Sequence, residues 1–326
     1  MHRPIYGNAR PARILSHLVA LLLVAGSALV CADRGVPDPL SLEQALSFAA
    51  GHPRTKVGAN TQGLPRRQPL YLGCHALAFT GTRDKDETRD VAWSPLLAPE
   101  AAQRLTIMQR FYDVLLADLS YGRDNEAMAV AYVQFDRAQV RAALGQFSPL
   151  KVAQLAADYQ LIRRQRAASE AGQRVTRALL AQALGRPEEL PRELVKQEFG
   201  AKDTPPPELD AVIAAALEDN PRVQQLMADR GEAARALITM EVRQQAMELL
   251  TRLQLLDVIA EQAKTESDWR DLKLDESRTL YELEARADLG FSMSQQTKAR
   301  RDEEQVALCQ TLTRAELEAL QGKPTP

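Results

Sequence analysis

Apolar residues recur at helical spacing along most of this chain, and helix breakers are gathered into a few places. From Arg222 to Lys323 there is no proline, and only Gly231, Gly290 and Gly322 interrupt the run. A segment of that length built from strong helix formers predicts helix. Near the start, Ser41 with Gln44 three residues on carries the signature of a capping box. Leu42, Ala45, Leu46 and Ala49 then form one face, ended by Gly51 and Pro53. A single helix is predicted from Pro99 to Leu144, with Pro99 in its first turn. Leu105, Tyr112, Leu119, Val133 and Val140 share one seven-residue row, interrupted by Glu126. Met108, Leu115, Gly122 and Ala129 share the companion row, so a coiled-coil seam with small residues near its middle is expected. Such a helix extends about 65–70 Å at 1.5 Å per residue. Ser148 and Pro149 restart a helix whose seam runs through Val152, Leu155, Tyr159 and Ile162. The spacing slips beyond Arg166, and "GRP" at 185–187 ends the element.

The second half repeats this plan. "ELDAVIAAALEDNP" ends in Asn220-Pro221 as the first helix ends in His52-Pro53. A long run then reaches Leu289, breaks at Gly290 and resumes to Leu320, and "ALQGKP" at 319–324 echoes "ALGRP" at 183–187. The chain reads as an internal duplication. The predicted fold is all-α: two long antiparallel coiled-coil helical hairpins with a small irregular or β insert in the first half. The expected division is a signal peptide at 1–32, a segment with a short helix at 33–57 and the insert at 58–97. Hairpin 1 follows at 98–187, a proline-rich linker at 188–207, and a short helix with hairpin 2 at 208–326. Inside the insert "PLYLGCHALAF" reads as a strand or small hairpin, and "GTRDKDETRD" as a solvated loop.

Composition narrows the function. The 41 basic and 43 acidic residues nearly balance, and no Lys/Arg tract points to nucleic acid. Aromatics are only 5% of the chain, which fits rods better than an aromatic-rich globular core. Arg3, Arg10 and Arg13 precede the apolar run "LVALLLVAGSALV", and Val30 and Ala32 suit cleavage after Ala32. An uncleaved anchor and lipidation at Cys31 are the alternatives. Cys74 and Cys309 are read as two small, semi-buried residues, with a disulfide as the alternative that export permits. His75 beside Cys74 lacks further ligands for a metal. No phosphate loop, nucleophile elbow or HExxH helix is present, and "RRQR" at 163–166 and "RDEEQ" at 301–305 read as solvated faces or intersubunit pairs. The expectation is a non-enzyme without cofactor or metal.

In that order the elements resemble the TolC-like outer-membrane efflux proteins. "LSLEQALSFAAGHP" and "LDAVIAAALEDNP" resemble the family's repeated helix ending in Asn-Pro, and "FYDVLLADLSY" its entry to the first hairpin. "ALGQFSPLKVAQL" and "DLGFSMSQ" resemble its two hairpin turns, and "RALLAQALGRPEELP" its exit. The resemblance implies a homotrimeric duct in the periplasm, with or without attachment to the outer membrane, serving a tripartite efflux or type I secretion system. It implies docking of a periplasmic adaptor (membrane fusion) protein, coupled to an inner-membrane pump. The contact residues would be Leu144, Gly145, Phe147 and Ser148 at one tip and Leu289, Gly290, Phe291, Ser292 and Ser294 at the other. Two departures stand out. The second half has no alternating segment of the roughly 9–11 residues a membrane strand needs, and the first has at most one. Where the family often places Asp-Val-Leu after the tip, this chain has Lys151-Val152-Ala153 and Gln296-Thr297-Lys298. A periplasmic coiled-coil scaffold without a barrel is therefore the alternative.

Overall fold

Ser41 opens the first element as its spacing predicts. Its hydroxyl accepts from the Gln44 N–H, and its own N–H donates to the Gln44 side chain, starting α1 (Leu42–Ser47). In a computed structural model, residues 35–57, 69–79, 93–196, 205–228, 231–283 and 289–324 are described. The predicted signal peptide, the charged loop of the insert and residues 284–288 lie outside them. Residues Val36–Pro326 form one compact unit.

The helices after α1 are α2 (Pro53–Val57), α3 (Cys74–Phe79), α4 (Pro99–Ala143), α5 (Pro149–Leu184), α6 (Leu209–Asp219), α7 (Pro221–Ala228), α8 (Glu232–Glu282) and α9 (Leu289–Leu320). The chain is all-α among the described residues, apart from one isolated parallel bridge between Leu40 and Leu194. The stretch expected as a strand instead gives α3. Its Cys74, Leu77 and Ala78 share a buried face at helical spacing. Helices α4 and α5 form hairpin 1, and α8 and α9 form hairpin 2. Because α4 also packs against α9, the long helices lie side by side in the order α5, α4, α9, α8.

The duplication extends to the atoms that tie each hairpin's exit to its preceding short helix. Asn220 donates to the Leu320 carbonyl (2.8 Å) and the Leu96 carbonyl (3.1 Å), while its Oδ1 accepts from the Arg222 N–H (2.9 Å). His52 occupies the matching place. Its Nδ1 accepts from the Arg54 N–H (3.1 Å), which leaves Nε2 to donate to the Gln182 carbonyl (3.2 Å). Each exit then turns on a left-handed glycine, Gly185 (φ 77°) or Gly322 (φ 75°).

The core is dense where all four long helices meet. On α4 almost every residue from Ala102 to Ala117 is buried, with Leu105, Ile107, Phe111 and Tyr112 at 0% exposure. Further along, the expected seam row turns outward: Val133 is 43% and Val140 56% exposed. The buried row there is Ala117, Asp124, Ala131 and Ala138. The Leu105 row is inside at its start because α4 is covered on nearly all sides there; farther on the covered side is a different seven-residue row. Gly122 faces open space and does not mediate a close approach.

The insert is pinned to the helices at two points. The Asp113 carboxylate, 0% exposed, accepts from the N–H groups of Leu70 (2.7 Å), Tyr71 (2.6 Å) and Leu72 (2.9 Å). Burial pulls the neighbouring Arg110 guanidinium below its usual value, and Asp113 opposes the shift. Cys74 and Cys309 form a disulfide with a Cα–Cα distance of 5.2 Å, correcting the reading of two unbonded thiols. The pairing escapes the sequence because it depends on where the insert folds back, and α3 brings Cys74 onto α9.

The exits give the first prediction. Gly145→Ala places a Cβ in open space at φ 72° and should cost about 1–2 kcal/mol. Gly322→Ala adds a Cβ 2.5 Å from the Asp219 carbonyl at φ 75° and should cost at least twice as much by urea denaturation. Equal costs would refute the tie between the exit and the short helix.

Candidate functional site

The predicted contact residues fall at the ends of the two hairpins, and the structure treats the two sets differently. In hairpin 1 the chain turns where expected. Helix α4 stops at Ala143, Leu144 caps it, and Gly145 adopts φ 72°. Ser148 then caps α5, its Oγ accepting from the Lys151 N–H (3.2 Å), and Pro149 fills the first helical position. Leu144 and Leu150 are 68% and 80% exposed, and Arg141 lies over the Phe147 ring at 5.4 Å. This tip presents apolar surface with a basic rim. Behind it, Tyr159 stacks on Phe135 (5.8 Å, 8°) and meets Tyr132 at 5.8 Å, holding the two arms together.

The second set is not a turn. Helix α8 ends at Glu282, capped by Leu283, and α9 begins at Leu289. Leu289, Gly290, Phe291, Ser292 and Ser294 therefore occupy the first turns of α9 instead of the bend expected at Gly290. Gly290 is there for a different reason: a Cβ would lie 2.6 Å from Val130 Cγ2. The glycine lets α9 approach α4. Ser292, 8% exposed, shares a hydrogen bond with Ser277 (2.7 Å), and Ser294, 7% exposed, donates to the Phe291 carbonyl (2.9 Å). Only Phe291, at 52%, is well exposed in this group, with Met293 at 42% beside it.

The Gly290–Val130 contact also fixes the relation of the two ends. Helix α4 continues from Val130 to Ala143, so hairpin 1 runs on for about 20 Å past the start of α9. Both hairpins therefore turn at the same end of the molecule.

Where α4 meets α9 beside the insert, polar groups replace the apolar core. Arg301 donates to Ser120 (3.3 Å), Asp302 (2.9 Å) and Gln305 (2.8 Å), and Gln305 donates to the Tyr71 carbonyl (3.0 Å). Arg301, Asp302 and Gln305 are buried, so the sequence reading of "RDEEQ" as a solvated face fails for these three. Closer to the bend, Thr297 donates to Glu126 (2.6 Å). Asp271 accepts from Gln296 (2.8 Å) and pairs with Arg300 (3.2 Å), and the Gln296 hydrogen bond is the main cause holding its carboxyl below the usual range. Within hairpin 2, Arg252 donates to Glu316 (2.9 Å), whose carboxyl burial pushes up against the pull of Arg252.

The sequence reading overlooked the outer faces of the two edge helices. On α8 the row Leu237, Gln244, Thr251, Val258, Thr265 and Leu272 points away from the core and carries no charge; Val258 is 65% and Leu272 70% exposed. On α5 the small residues Ala153, Ala157, Ala168 and Ala178 are exposed, interspersed with exposed basic residues that include Arg163, Arg164 and Arg174. The edges also differ in sign. Helix α5 has six basic and two acidic residues, net +4; α8 has seven basic and eleven acidic, net −4. The inner helices α4 (five basic, six acidic) and α9 (four basic, five acidic) are each net −1. The signal for this was present in the sequence, in the absence of charge along one seven-residue row. Among the described residues no His/Cys/Asp/Glu group has the geometry of a metal site, and no helix is long and apolar enough to cross a membrane.

No family model and no curated protein matches this sequence. Solved structures do. One is a structure of CusC, from work on the conformational changes accompanying its folding and transmembrane channel formation. It matches 86% of this chain and 96% of its own at 12% identity, with a TM-score of 0.54. A membrane protein from Pseudomonas aeruginosa aligns over 86% of this chain and 90% of its own at 13% identity, with a TM-score of 0.46. The likeness to CusC, an outer-membrane factor, shows that the chain has a TolC-like fold.

The Gly290 contact is testable by compensation. Gly290→Ala should lose about 1–3 kcal/mol by overpacking against Val130. Adding Val130→Ala should recover most of that loss in chemical denaturation; if the double variant is no better than the single, the close approach is wrong.

Proposed function

We propose that this protein is an envelope component that assembles with two further copies into a ring of helical hairpins. Through the tip of hairpin 1 it docks a periplasmic adaptor protein of an efflux or secretion pump. The observation that carries this reading is the pair of free edge faces. A helix opposite its own core normally presents charge to water, whereas α8 keeps a neutral, partly apolar row there over its length. Its medium-sized side chains match the exposed alanines of α5 in shape, and net −4 faces net +4. Such a contact is head-to-tail, so repeating it generates a ring. The TolC-like fold and the disulfide, which belongs to an oxidising compartment, support placement in the envelope.

A second reading, a ring or rod that stands in the periplasm without a barrel of its own, is favoured by chain length. Three residues, Asp229–Gly231, join α7 to α8, where a pair of membrane strands would need about 20 residues. In the first half, residues 70–72 and Cys74 are held against α4 and α9. The readings share the ring and differ in whether it conducts.

Adaptor contact is assigned to Leu144, Gly145, Phe147 and Ser148, with Leu289, Gly290, Phe291, Ser292 and Ser294 contributing from the start of α9, chiefly through exposed Phe291.

Sedimentation should show a trimer at low ionic strength that dissociates as salt rises, and Val258→Glu or Arg164→Glu should give a monomer of unchanged helicity. A wild-type monomer under all conditions would end the ring. For docking, Leu144→Glu should weaken crosslinking to the adaptor at least tenfold without changing the trimer; unaltered crosslinking would remove the tip from the interface.

A further inference from the structure

One short segment touches all four long helices in their spatial order. The Tyr71 ring lies in the notch left by Gly172 on α5, where a Cβ would overlap its hydroxyl. The N–H groups of Leu70, Tyr71 and Leu72 are held by Asp113 on α4. The Tyr71 carbonyl accepts from Gln305 on α9 (3.0 Å), and Cys74 is bonded to Cys309 on the same helix. Helix α3 then lies against α8, with His75 Nε2 3.8 Å from Glu248.

The place where this belt crosses is a boundary. On one side the hairpins share an apolar core built from Leu105, Met108 and Tyr112 of α4 and Leu308, Leu312 and Ala315 of α9. On the other side they meet through Arg301–Ser120, Thr297–Glu126 and the small contact of Gly290 with Val130. A cleft of about 570 Å³ opens there between α5 and α9, with Tyr71 at its edge and Ala127 and Ala131 along it. Apolar packing resists sliding and splaying, whereas a polar interface beside a cleft resists them weakly.

We propose that residues 70–79 are an oxidation-locked belt that decides whether the distal halves of the two hairpins move as one body. Closing the lock is a thiol–disulfide exchange with a protein or small-molecule disulfide. One cysteine thiolate attacks a sulfur of that disulfide and displaces one of its thiolates; the second cysteine displaces the other. The oxidant is reduced to its two thiols, which take up the two electrons and, through solvent, the two protons that the cysteines lose. Cys309 is 0% and Cys74 8% exposed, so exchange takes place before the belt seats fully. Once Asp113 holds Leu70–Leu72, the finished bond is shielded from thiol reductants. The belt is independent of whether the protein forms a ring.

The test uses the full chain in its oxidised, reduced and Cys74→Ser forms, read by hydrogen exchange. Loss of the bond should speed exchange at least tenfold in α3, in residues 289–305 and in residues 120–143, while residues 102–116 stay protected. Unchanged exchange at 120–143 and 289–305 would make the bond a local staple and overturn the proposal. Equal acceleration of residues 102–116 would make it a global staple and overturn it too. In thiol trapping without denaturant, Asp113→Ala should be reduced at least tenfold faster than wild type, and the isosteric Asp113→Asn should lie between them. Equal rates would show that the nest does not guard the bond. Sedimentation of the same samples separates this outcome from failure of the ring: a monomer with a guarded bond bears on assembly alone.

Discussion

Helix α4, 45 residues long, is covered on nearly all sides at one end and on one seam at the other, and the architecture follows from that change. Its buried surface is nearly continuous around the circumference from Ala102 to Ala117, where the insert, α9, α5 and the short helices all contribute. Beyond that the row Ala117, Asp124, Ala131, Ala138 and the single residue Ser120 stay inside. The helix thus changes from a core element into one strut of a two-helix rod. At the change the apolar supply runs out, and polar groups take over: Asp113 holds the insert and Ser120 receives Arg301. Buried polar groups are costly unless bonded, so these contacts are made in sets, and each set joins different elements.

The sequence carried the hairpins well because their signals are local. Ser148-Pro149 starts a helix by chemistry that needs no partner, and Gly145 and Gly185 adopt left-handed conformations that glycine alone enters cheaply. The x-Pro ending was legible twice, as His52-Pro53 and Asn220-Pro221, although the bonds from those side chains to the hairpin exits were not. What failed depends on distant neighbours. Gly290 reads as a breaker until Val130 is placed 2.6 Å from where its Cβ would be. The disulfide needs the folding path of the insert. The distal seam of α4 was sought among its larger residues, Val133 and Val140, but its buried row is alanine: two such rods approach closely only where side chains are small, and aromatic contacts such as Phe135 with Tyr159 fill the flanks. In this region size, rather than hydrophobicity, marks the inside.

The candidate site divides the same way. Leu144, Gly145, Phe147 and Ser148 are at a tip because the turn is written locally; Leu289 to Ser294 are not, because the bend of hairpin 2 precedes them. Helix α4 runs on for about 20 Å past the start of α9, and the basic residues Arg137, Arg141 and Lys151 lie near the end of hairpin 1.

Sorting of charge among the long helices gives an assembly a direction. The inner helices are close to neutral, so neither hairpin is repelled by the other within the chain. The edges hold opposite signs, so two copies placed α5 to α5, or α8 to α8, set like charges together along the helix length, while α8 to α5 sets unlike ones. Surface charge contributes little affinity per pair, but over two long helices it discriminates strongly between orientations. A contact that is always α8 to α5, repeated by rotation about an axis parallel to the helices, keeps every hairpin pointing the same way. The ends of hairpin 1 would then gather on one side of any assembly, as a set of equivalent basic tips at a common height.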